Sequence, residues 1–263
     1  MGDLALLRHQ LSQLDRVAVA FSGGADSAFL AWVAHDTLGR DRVTAITAVS
    51  PSFAGFERHD CAALAAEWNL NWVEVATAEM ENAAYRRNDA DRCFHCKDAL
   101  MDAIGPLALH DNATVVLGVN LDDLGDYRPG QQAAAQRGAG FPLVDAGFSK
   151  ADVREVSRQL GLSTWDKPAA ACLASRLPYG TPVTLRVLAS VEQAETALRL
   201  LGFVDLRVRH YDNLARIEVP LAQIEAVVRL RGEVVAAVES AGYEYVTLDL
   251  AGLRSGNLNQ ALS

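Results

Sequence analysis

The 263-residue sequence lacks long apolar runs and contains little cysteine. No stretch approaches the ~20 apolar residues that a membrane-spanning helix requires. The first residues, 1–4, begin an amphipathic helix pattern rather than a charged and then apolar leader, so we expect a cytoplasmic protein with no membrane contact. Four cysteines in a chain of this size indicate thiols or cluster ligands rather than a disulfide framework.

Positive charge is also in the minority. The sequence has 24 lysines and arginines against 33 aspartates and glutamates, which gives a net charge of −9. This balance argues against nonspecific binding to a nucleic-acid backbone, although local arginine clusters can still bind small phosphates. The sequence has no internal repeat and no low-complexity segment. Because half of its residues are apolar, the chain can bury a core for one large or two modest domains.

The first half of the sequence alternates strand-like and helix-like segments. Strand patterns cover residues 16–21, 43–49, 71–75 and 114–119, and helix patterns cover 26–38 and 56–68. This alternation predicts an α/β fold with a doubly wound parallel sheet. Ligands of such sheets bind beyond the carboxyl ends of the strands, where Ser22, Ser50 and Asn120 would lie.

The second half predicts a smaller α/β domain. A helix-like segment, 150–160, leads to an irregular stretch, 163–184, that is rich in alanine, proline and glycine. Helix-like residues 185–201, strands 205–210 and 214–219, a helical segment 221–240 and a last strand 245–250 follow. We therefore expect a nucleotide-binding domain at 1–165, a connecting active-site loop at 166–184 and a C-terminal domain at 185–263.

The run Ser22-Gly23-Gly24-Ala25-Asp26-Ser27 follows the first strand and opens a helix. Two glycines at a helix N-terminus let backbone N–H groups surround phosphate oxygens, and the serine hydroxyls add donors. Asp26 would cap the helix or hold a bridging magnesium ion. The loop lacks the lysine of a Walker-type sequence. The alternative is a tight, capped turn between strand and helix.

Two segments after the fourth strand carry further polar residues. Gly118 and the Asn120 amide would face the same crevice as the phosphate loop, and Asp122 or Asp123 could meet a ribose, cap a helix or hold a metal-bound water. A plain Asx turn is the alternative. Arg128, in a tyrosine-containing Pro-Gly loop, is a candidate anchor for a carboxylate or phosphate, or a solvated turn residue.

Three of the four cysteines lie in settings that suit chemistry. Cys93 and Cys96 form a Cys-x-x-Cys pair flanked by arginine and lysine, predicted on a loop entering a helix. Cys172 lies in a small-residue loop beside Ser175 and Arg176. Three cysteines with one open position suit a [4Fe-4S] cluster. The alternatives are a zinc site that also recruits His95, a redox dithiol, or packed cysteines. We assign Cys61, in a helix pattern among alanines, to packing.

The phosphate loop resembles the PP-loop of the ATP pyrophosphatases, a family that splits ATP between its α- and β-phosphates and transfers AMP to a substrate oxygen. A wider set of motifs makes nearly the whole chain resemble the LarE family, which makes the nickel-pincer nucleotide cofactor. These motifs lie at residues 22–27, 92–97, 118–123, 126–130, 171–180, 207–209, 216–218 and 253–256.

The LarE resemblance implies a sulfurtransferase that uses ATP and Mg²⁺. Each carboxylate of a pyridinium-3,5-biscarboxylic acid mononucleotide would be adenylated, and sulfur would then replace AMP. Some members sacrifice the sulfur of their own cysteine, here Cys172, whereas others resemble cluster enzymes. The presence of Cys93, Cys96 and Cys172 favours the [4Fe-4S] version, with a separate sulfide donor. The resemblance makes these cysteines, Asp26 and Arg176 the catalytic candidates.

The C-terminal domain would bind substrate. Arg207 and Arg209 alternate along one strand and so point the same way, which predicts a clamp for the substrate phosphate or for pyrophosphate. Solvated arginines are the alternative. Glu195 and Glu218 could hold magnesium or the pyridinium edge, or form salt bridges with these arginines. From the resemblance alone, Arg254 would reach a neighbouring subunit of a homo-oligomer.

Two further function classes stay open from the sequence. A PP-loop amidotransferase or tRNA thiolase would need a glutaminase partner or a basic RNA-binding extension, and the net charge of −9 counts against it. A non-catalytic nucleotide sensor would use the cysteines to bind structural zinc.

Overall fold

The structure is a computed structural model that describes residues 2–124, 129–168 and 171–254. The chain divides into two compact units. The first contains Met1–Glu79 and Cys93–Ala170, and the second contains Met80–Arg92 and Ala171–Ser263. The second unit therefore takes in a short segment, residues 80–92, from the first half of the sequence. Among the described helices, none is both long enough and apolar enough to cross a bilayer.

The first unit is built on a four-stranded parallel sheet with the strand order β3-β2-β1-β4. Its strands are β1 (Val17–Ala20), β2 (Val43–Val49), β3 (Asn71–Ala76) and β4 (Thr114–Leu117). The larger α-helices in this part of the chain are α1 (Leu4–Ser12), α2 (Ala25–Leu38) and α3 (Gly55–Glu67). After α4 (Ala83–Arg87) in the second unit come α5 (Arg92–His110), α6 (Leu121–Leu124), α7 (Pro129–Gln136), α8 (Pro142–Asp145) and α9 (Lys150–Gln159).

Apolar side chains cover both faces of this sheet. Along β1, Val17 and Val19 join a core with α1, α2, α3 and α9, whereas Ala18 joins a second core with α5. Successive side chains of a strand point to opposite faces, so an all-apolar strand must be buried on both. The predicted doubly wound parallel sheet is therefore present, and the four predicted strands are the four observed.

The fourth strand ends earlier than its apolar pattern predicts. The Val119 N–H donates to the Leu117 carbonyl at 2.9 Å, so the chain turns away from the sheet at Gly118. The predicted Cys-x-x-Cys loop is also different in the structure. Helix α5 begins at Arg92, so both cysteines lie within the start of the helix.

The second unit has a three-stranded sheet with the order β5-β6-β7. Strands β5 (Arg207–Tyr211) and β6 (Leu214–Glu218) are antiparallel, and β7 (Tyr245–Leu248) pairs in parallel with β6. Helix α10 (Leu185–Leu200) shares a core with the sheet. The single helical segment predicted at 221–240 is instead a 3₁₀ turn, Leu221–Gln223, followed by α11 (Ile224–Arg229) and α12 (Arg231–Glu239).

Candidate functional site

The phosphate loop connects β1 to α2 in the first unit. Ser27 accepts a hydrogen bond from the Ser22 N–H at 3.2 Å and donates one from its hydroxyl to the Gly24 carbonyl at 3.1 Å. Gly24 is the N-cap residue of α2, and no side chain among the described residues caps this helix end with a hydrogen bond. Helix N-termini without such a cap leave N–H groups for a ligand, and their partial positive charge favours an anion. Ser27 thus shapes a loop suited to phosphate.

Two glycines are required by close packing around this loop. Gly23 has φ +70°, and a Cβ atom there would lie 2.9 Å from the Cys61 Sγ. A Cβ atom on Gly118 would lie 2.7 Å from the Ser27 backbone nitrogen. A real Cβ atom cannot approach backbone so closely without displacing it. The end of β4 therefore rests directly on the first turn of α2 because residue 118 has no side chain.

Asn120 joins the two predicted halves of the site. Its side-chain amide donates to the Asp26 carboxylate at 3.1 Å, and its amide oxygen accepts from the backbone of Asp122 and Asp123 at 3.0 and 3.3 Å. The Asp123 carboxylate accepts from the Asn120 N–H at 3.2 Å. The Asx turn that was the alternative interpretation is present, and it also positions a carboxylate beside the phosphate loop.

The electrostatic environment of Asp26 is unfavourable for its charge. Burial raises the pKa of the Asp26 carboxyl above its usual range, and the nearby Asp123 carboxylate adds to the increase. The hydrogen bond from Asn120 and the positive charges of Lys150 and Arg154 oppose it. A divalent cation would relieve this repulsion, and carboxylate oxygens are ligands that Mg²⁺ prefers. Asp26 and Asp123 thus have the chemistry of a magnesium site.

Ser50 shapes the turn after β2 at the same end of the sheet. Its hydroxyl accepts from the Ser52 N–H at 3.2 Å, and its carbonyl accepts from the Phe53 N–H at 3.0 Å. The adjacent parallel strand β1 leads into the phosphate loop. Ser50 therefore lies at the predicted ligand-binding edge of the sheet.

In the second unit, the loop around Cys172 is held by hydrogen bonds to its backbone. The Cys172 carbonyl accepts from the Ser175 hydroxyl at 2.7 Å and from the Arg176 guanidinium at 3.1 Å. Arg176 also donates to the Ala171 carbonyl. Cys172 itself is half-buried and precedes a 3₁₀ helix, Leu173–Arg176. The conformation of the cysteine loop therefore depends on Arg176.

Arg176 is paired with Glu195 in the interior of the second unit. Their side chains are both 1% exposed and form two hydrogen bonds, at 2.8 and 3.0 Å. Burial alone would raise the pKa of Glu195, but the Arg176 guanidinium brings it below the usual range. Glu218 forms the equivalent buried pair with Arg209 at 2.9 Å. Both glutamates thus engage in salt bridges, the alternative to a magnesium or pyridinium site.

Arginines accumulate around these two glutamates. The guanidinium groups belong to Arg176, Arg199, Arg207, Arg209 and Arg216. Burial, together with the charges of Arg176 and Arg209, lowers the pKa of Arg207 to about 10. Arg209 also donates to the Ser175 carbonyl at 2.8 Å, which links β5 to the cysteine loop. Concentrated positive charge of this kind suits a phosphate group.

The comparisons with known proteins cover nearly the whole chain. No protein-family model matches it. An uncharacterized protein of Synechocystis sp. is 48% identical over 260 residues, 98% of this chain and 97% of the relative. The pyridinium-3,5-bisthiocarboxylic acid mononucleotide synthase of Lactiplantibacillus plantarum is 39% identical over 260 residues, 98% of this chain and 94% of the relative. This chain belongs to the LarE family.

The cysteines of this LarE-family chain differ in accessibility. Cys93 is exposed, Cys96 and Cys172 are half-buried, and Cys61 is buried. Burial raises the pKa of the Cys61 thiol to about 11, so this residue is the least reactive of those described. Cys93 and Cys96 belong to the first unit and Cys172 to the second. Within 2–124, 129–168 and 171–254, no group of three metal-binding side chains is found, and a shared cluster stays a prediction.

Sequence reasoning missed several charged residues beside the phosphate loop. Lys150 and Arg154 act on Asp26 from α9. Lys167 donates to Glu57 at 3.1 Å and to Asp60 at 2.8 Å, and its carbonyl accepts from Arg154 at 3.0 Å. The four-residue spacing of Lys150 and Arg154 in a helix pattern was the available signal, because it places two cations on one face.

Arg128 and Arg254 were predicted to contact a substrate and a neighbouring subunit, respectively. Arg128 lies outside the described residues, and its role stays a prediction. Arg254 lies 3.6 Å from the Asp249 carboxylate within its own unit. The Arg207 and Arg209 clamp and the contact of Arg254 with another subunit remain predictions as well.

Proposed function

We propose that this protein is an ATP-dependent sulfurtransferase that converts the carboxylates of pyridinium-3,5-biscarboxylic acid mononucleotide to thiocarboxylates. The observation that carries the proposal is the 39% identity, over 98% of the chain, to a synthase named for the bisthiocarboxylic product. The phosphate loop supports it independently, because an uncapped helix N-terminus next to a half-buried carboxylate suits a magnesium nucleotide.

The first half-reaction is adenylation. A substrate carboxylate oxygen attacks the α-phosphorus of ATP, the bond to the β-phosphate oxygen breaks, and pyrophosphate leaves. Backbone N–H groups of the loop, residues 22–27, would bind the phosphates, and Asp26 with Asp123 would hold Mg²⁺ against them. The buried Asn120 keeps Asp26 in position for this role. Adenylation is needed because a carboxylate oxygen is a poor leaving group, whereas AMP leaves readily.

The second half-reaction replaces AMP with sulfur. Hydrosulfide (HS⁻) as the nucleophile attacks the carboxyl carbon, the C–O bond to AMP breaks, AMP departs with the original oxygen, and the S–H proton is released to leave the thiocarboxylate. Arg207 and Arg209 would bind the substrate phosphate. Arg176 would act through Cys172, because it holds the backbone of the cysteine loop and is itself held by Glu195.

The thiols of this chain fit a [4Fe-4S] cluster by their chemistry. Cys93, Cys96 and Cys172 are exposed or half-buried, so their sulfur atoms are accessible to a metal cluster. Cys61 is buried, so we exclude it as a ligand of the cluster. When bound through three cysteines, a cluster would supply one iron with an open position for sulfide. The same accessible Cys172 is the residue that the sacrificial version of the reaction would consume.

A single assay tests the proposal. Anaerobically purified protein is incubated with the biscarboxylic mononucleotide, MgATP and sulfide, and thiocarboxylate, AMP and pyrophosphate are measured. We expect one AMP and one pyrophosphate for each thiocarboxylate. ATP cleavage that does not depend on the mononucleotide, or no cleavage with it, would contradict the proposal. Stoichiometric zinc without pyrophosphate release would instead support a nucleotide sensor.

Iron and sulfide analysis distinguishes the two sulfur sources. Cys93→Ala, Cys96→Ala and Cys172→Ala should each lose iron if the three residues hold a cluster, whereas Cys61→Ala should keep it. One turnover per chain, with Cys172 converted to dehydroalanine and no bound iron, would identify the sacrificial version. The homo-oligomeric state, the cytoplasmic location and the sulfide donor remain predictions.

A further inference from the structure

A segment from the first half of the sequence packs against the cysteine loop of the second unit. Residues 80–92 belong to this unit together with residues 171–263. Helix α4 is followed by Asn88, and the next helix begins at Arg92. Asn88 is completely buried, and Arg92 is 6% exposed. Two polar side chains are thus buried at the end of this segment, where each requires hydrogen-bond partners.

Asn88 binds the backbone that follows Cys172. Its own backbone is left-handed, with φ +60°, a conformation that asparagine and glycine adopt more readily than other residues. Its side-chain amide donates to the Pro178 carbonyl at 2.8 Å and to the Thr181 carbonyl at 2.9 Å. Its backbone carbonyl accepts from the Gly180 N–H at 3.1 Å. One buried residue therefore makes three hydrogen bonds with the chain after the cysteine.

The Arg92 guanidinium connects Asn88 with the cysteine loop itself. Its Nη1 donates to the Asn88 Oδ1 at 2.5 Å and to the Ala174 carbonyl at 2.8 Å. The guanidinium carbon also lies 5.9 Å from the centre of the Tyr179 ring, within the range of a cation–π contact. Ala174 belongs to the 3₁₀ helix that directly follows Cys172. Arg92 thus holds this short helix in place.

Guanidinium groups bind four backbone carbonyls of the cysteine loop. The donors are Arg92, Arg176 and Arg209, and the acceptors are the carbonyls of Ala171, Cys172, Ala174 and Ser175. A single turn of 3₁₀ helix has few hydrogen bonds of its own, so its conformation depends on these donors. The position of the Cys172 sulfur therefore depends on Asn88 and Arg92, as well as on the arginines of the C-terminal part of the chain.

We propose that Asn88 and Arg92 are positioning residues for sulfur transfer, which act through the backbone of the cysteine loop to place Cys172 for the second half-reaction. This inference rests on the proposed function, and it applies to both sulfur sources because each uses Cys172. The adenylation step depends on the phosphate loop in the first unit instead. Displacing a reacting group by about 1 Å can slow a reaction about hundredfold. Loss of either residue should therefore slow sulfur transfer and leave adenylation unchanged.

A single-turnover assay of the full chain measures the two half-reactions separately. With the biscarboxylic mononucleotide, MgATP and sulfide, pyrophosphate reports adenylation and thiocarboxylate reports sulfur transfer. Asn88→Gly keeps the left-handed backbone and removes the side-chain donors, and Arg92→Met removes the guanidinium. Each should slow thiocarboxylate formation by about tenfold to hundredfold, with pyrophosphate release within about twofold of wild type.

A conservative variant and a matched control complete this assay. Arg92→Lys should restore part of the thiocarboxylate rate, because an ammonium group can donate to the same two oxygen atoms. This variant and Asn88→Gly carry the test if Arg92→Met does not fold. The control is Asn112→Gly, because Asn112 also has a left-handed backbone, with φ +51°, but is exposed. It should change neither rate.

Hydrogen–deuterium exchange of the metal-free protein gives a second measurement that does not depend on activity. Asn88→Gly should accelerate amide exchange in residues 173–183 by about tenfold or more, because the hydrogen bonds that restrain this segment are lost. Exchange in the four strands of the first unit should stay unchanged.

The possible outcomes separate the inference from the proposed function. Equal slowing of pyrophosphate and thiocarboxylate formation would show a general structural role and overturn the inference. Thiocarboxylate rates within about twofold of wild type would also overturn it, as would unchanged exchange in residues 173–183. In these cases the proposed function would stand, because wild type still forms thiocarboxylate. Wild-type protein that forms none would overturn the proposed function together with the inference.

Discussion

The side-chain amide of Asn120 donates a hydrogen bond of 3.1 Å to the carboxylate of Asp26, across 94 residues of sequence. Asn120 is fully buried and follows β4, whereas Asp26 lies in the first turn of α2. One amide therefore connects the ends of two parallel strands at the phosphate loop. It holds a carboxylate where burial makes its charge costly, an arrangement more typical of a ligand site than of a stabilising contact.

Asp26→Asn should increase stability and decrease nucleotide binding. Folding raises the pKa of the Asp26 carboxyl above 3.8, its pKa in the unfolded chain. The folded protein therefore loses stability as the pH rises from 3.8 through the higher pKa of the folded state. At pH 7 the nucleotide-free Asp26→Asn variant should therefore unfold at a higher urea concentration than wild type. Its MgATP affinity should fall by about tenfold or more, because a magnesium ligand is lost.

The control for this prediction is Asp15→Asn, which alters an exposed aspartate. It should change neither urea midpoint nor MgATP affinity. An Asp26→Asn variant that is less stable than wild type at pH 7 would contradict the description of Asp26 as a half-buried, unfavourable charge.

Gly118→Ala should disrupt the phosphate loop without adding charge. The new Cβ atom would lie 2.7 Å from the Ser27 nitrogen and 2.8 Å from the Asp26 carbonyl carbon, so α2 or β4 must move. We expect a loss of about 1–3 kcal/mol in the free energy of unfolding, and weaker ATP binding. Gly232→Ala, in helix α12 with open space around it, should instead be neutral or slightly stabilising. Equal behaviour of the two variants in urea denaturation would disprove the packing argument.

Glu195→Gln should strongly destabilise the second unit. It leaves the buried Arg176 guanidinium without its carboxylate, which costs about 3–5 kcal/mol for a buried pair. Folding lowers the pKa of Glu195 below 4.5, its pKa in the unfolded chain. The contribution of Glu195 to the free energy of unfolding is therefore complete above pH 4.5 and is lost as the pH falls through the pKa of the folded state. The free energy of unfolding of the Glu195→Gln variant should therefore decrease less than that of wild type as the pH is lowered.

The matched control is Glu155→Gln, which removes the carboxylate from the exposed pair with Arg158. Surface ion pairs contribute little, so denaturation curves of this variant should overlay those of wild type. If Glu195→Gln also overlaid wild type at neutral pH, the buried pair would not hold the cysteine loop as the contacts indicate.

Thiol labelling should separate the four cysteines. In metal-free, reduced protein at pH 8, iodoacetamide should modify Cys93, Cys96 and Cys172 within the native state. Cys61 should react only after unfolding, because it is buried and its pKa is about 11. Peptide mass spectrometry with and without denaturant measures this directly. Native-state labelling of Cys61 at the rate of Cys93 would refute the tight packing beneath Gly23.

Much of the first unit could be predicted from local patterns. The apolar runs in β1 to β4 are short and continuous, which is typical of strands buried on both faces, and the phosphate loop is a contiguous run of six residues. The boundaries were less accurate. The turn at Gly118 and the helical start at Arg92 depend on contacts that a local apolar pattern does not contain.

The sequence by itself determined the parallel α/β unit, the phosphate loop and the candidate cysteines, because periodicity and short motifs are properties of neighbouring residues. Only the tertiary structure decided which charges meet. It paired Arg176 with Glu195, packed Cys61 beneath Gly23, joined Asn120 to Asp26, and brought the charges of Lys150 and Arg154 close enough to act on Asp26. Such pairings depend on how helices and strands pack, and the free energy of burying a charge depends on the surrounding residues.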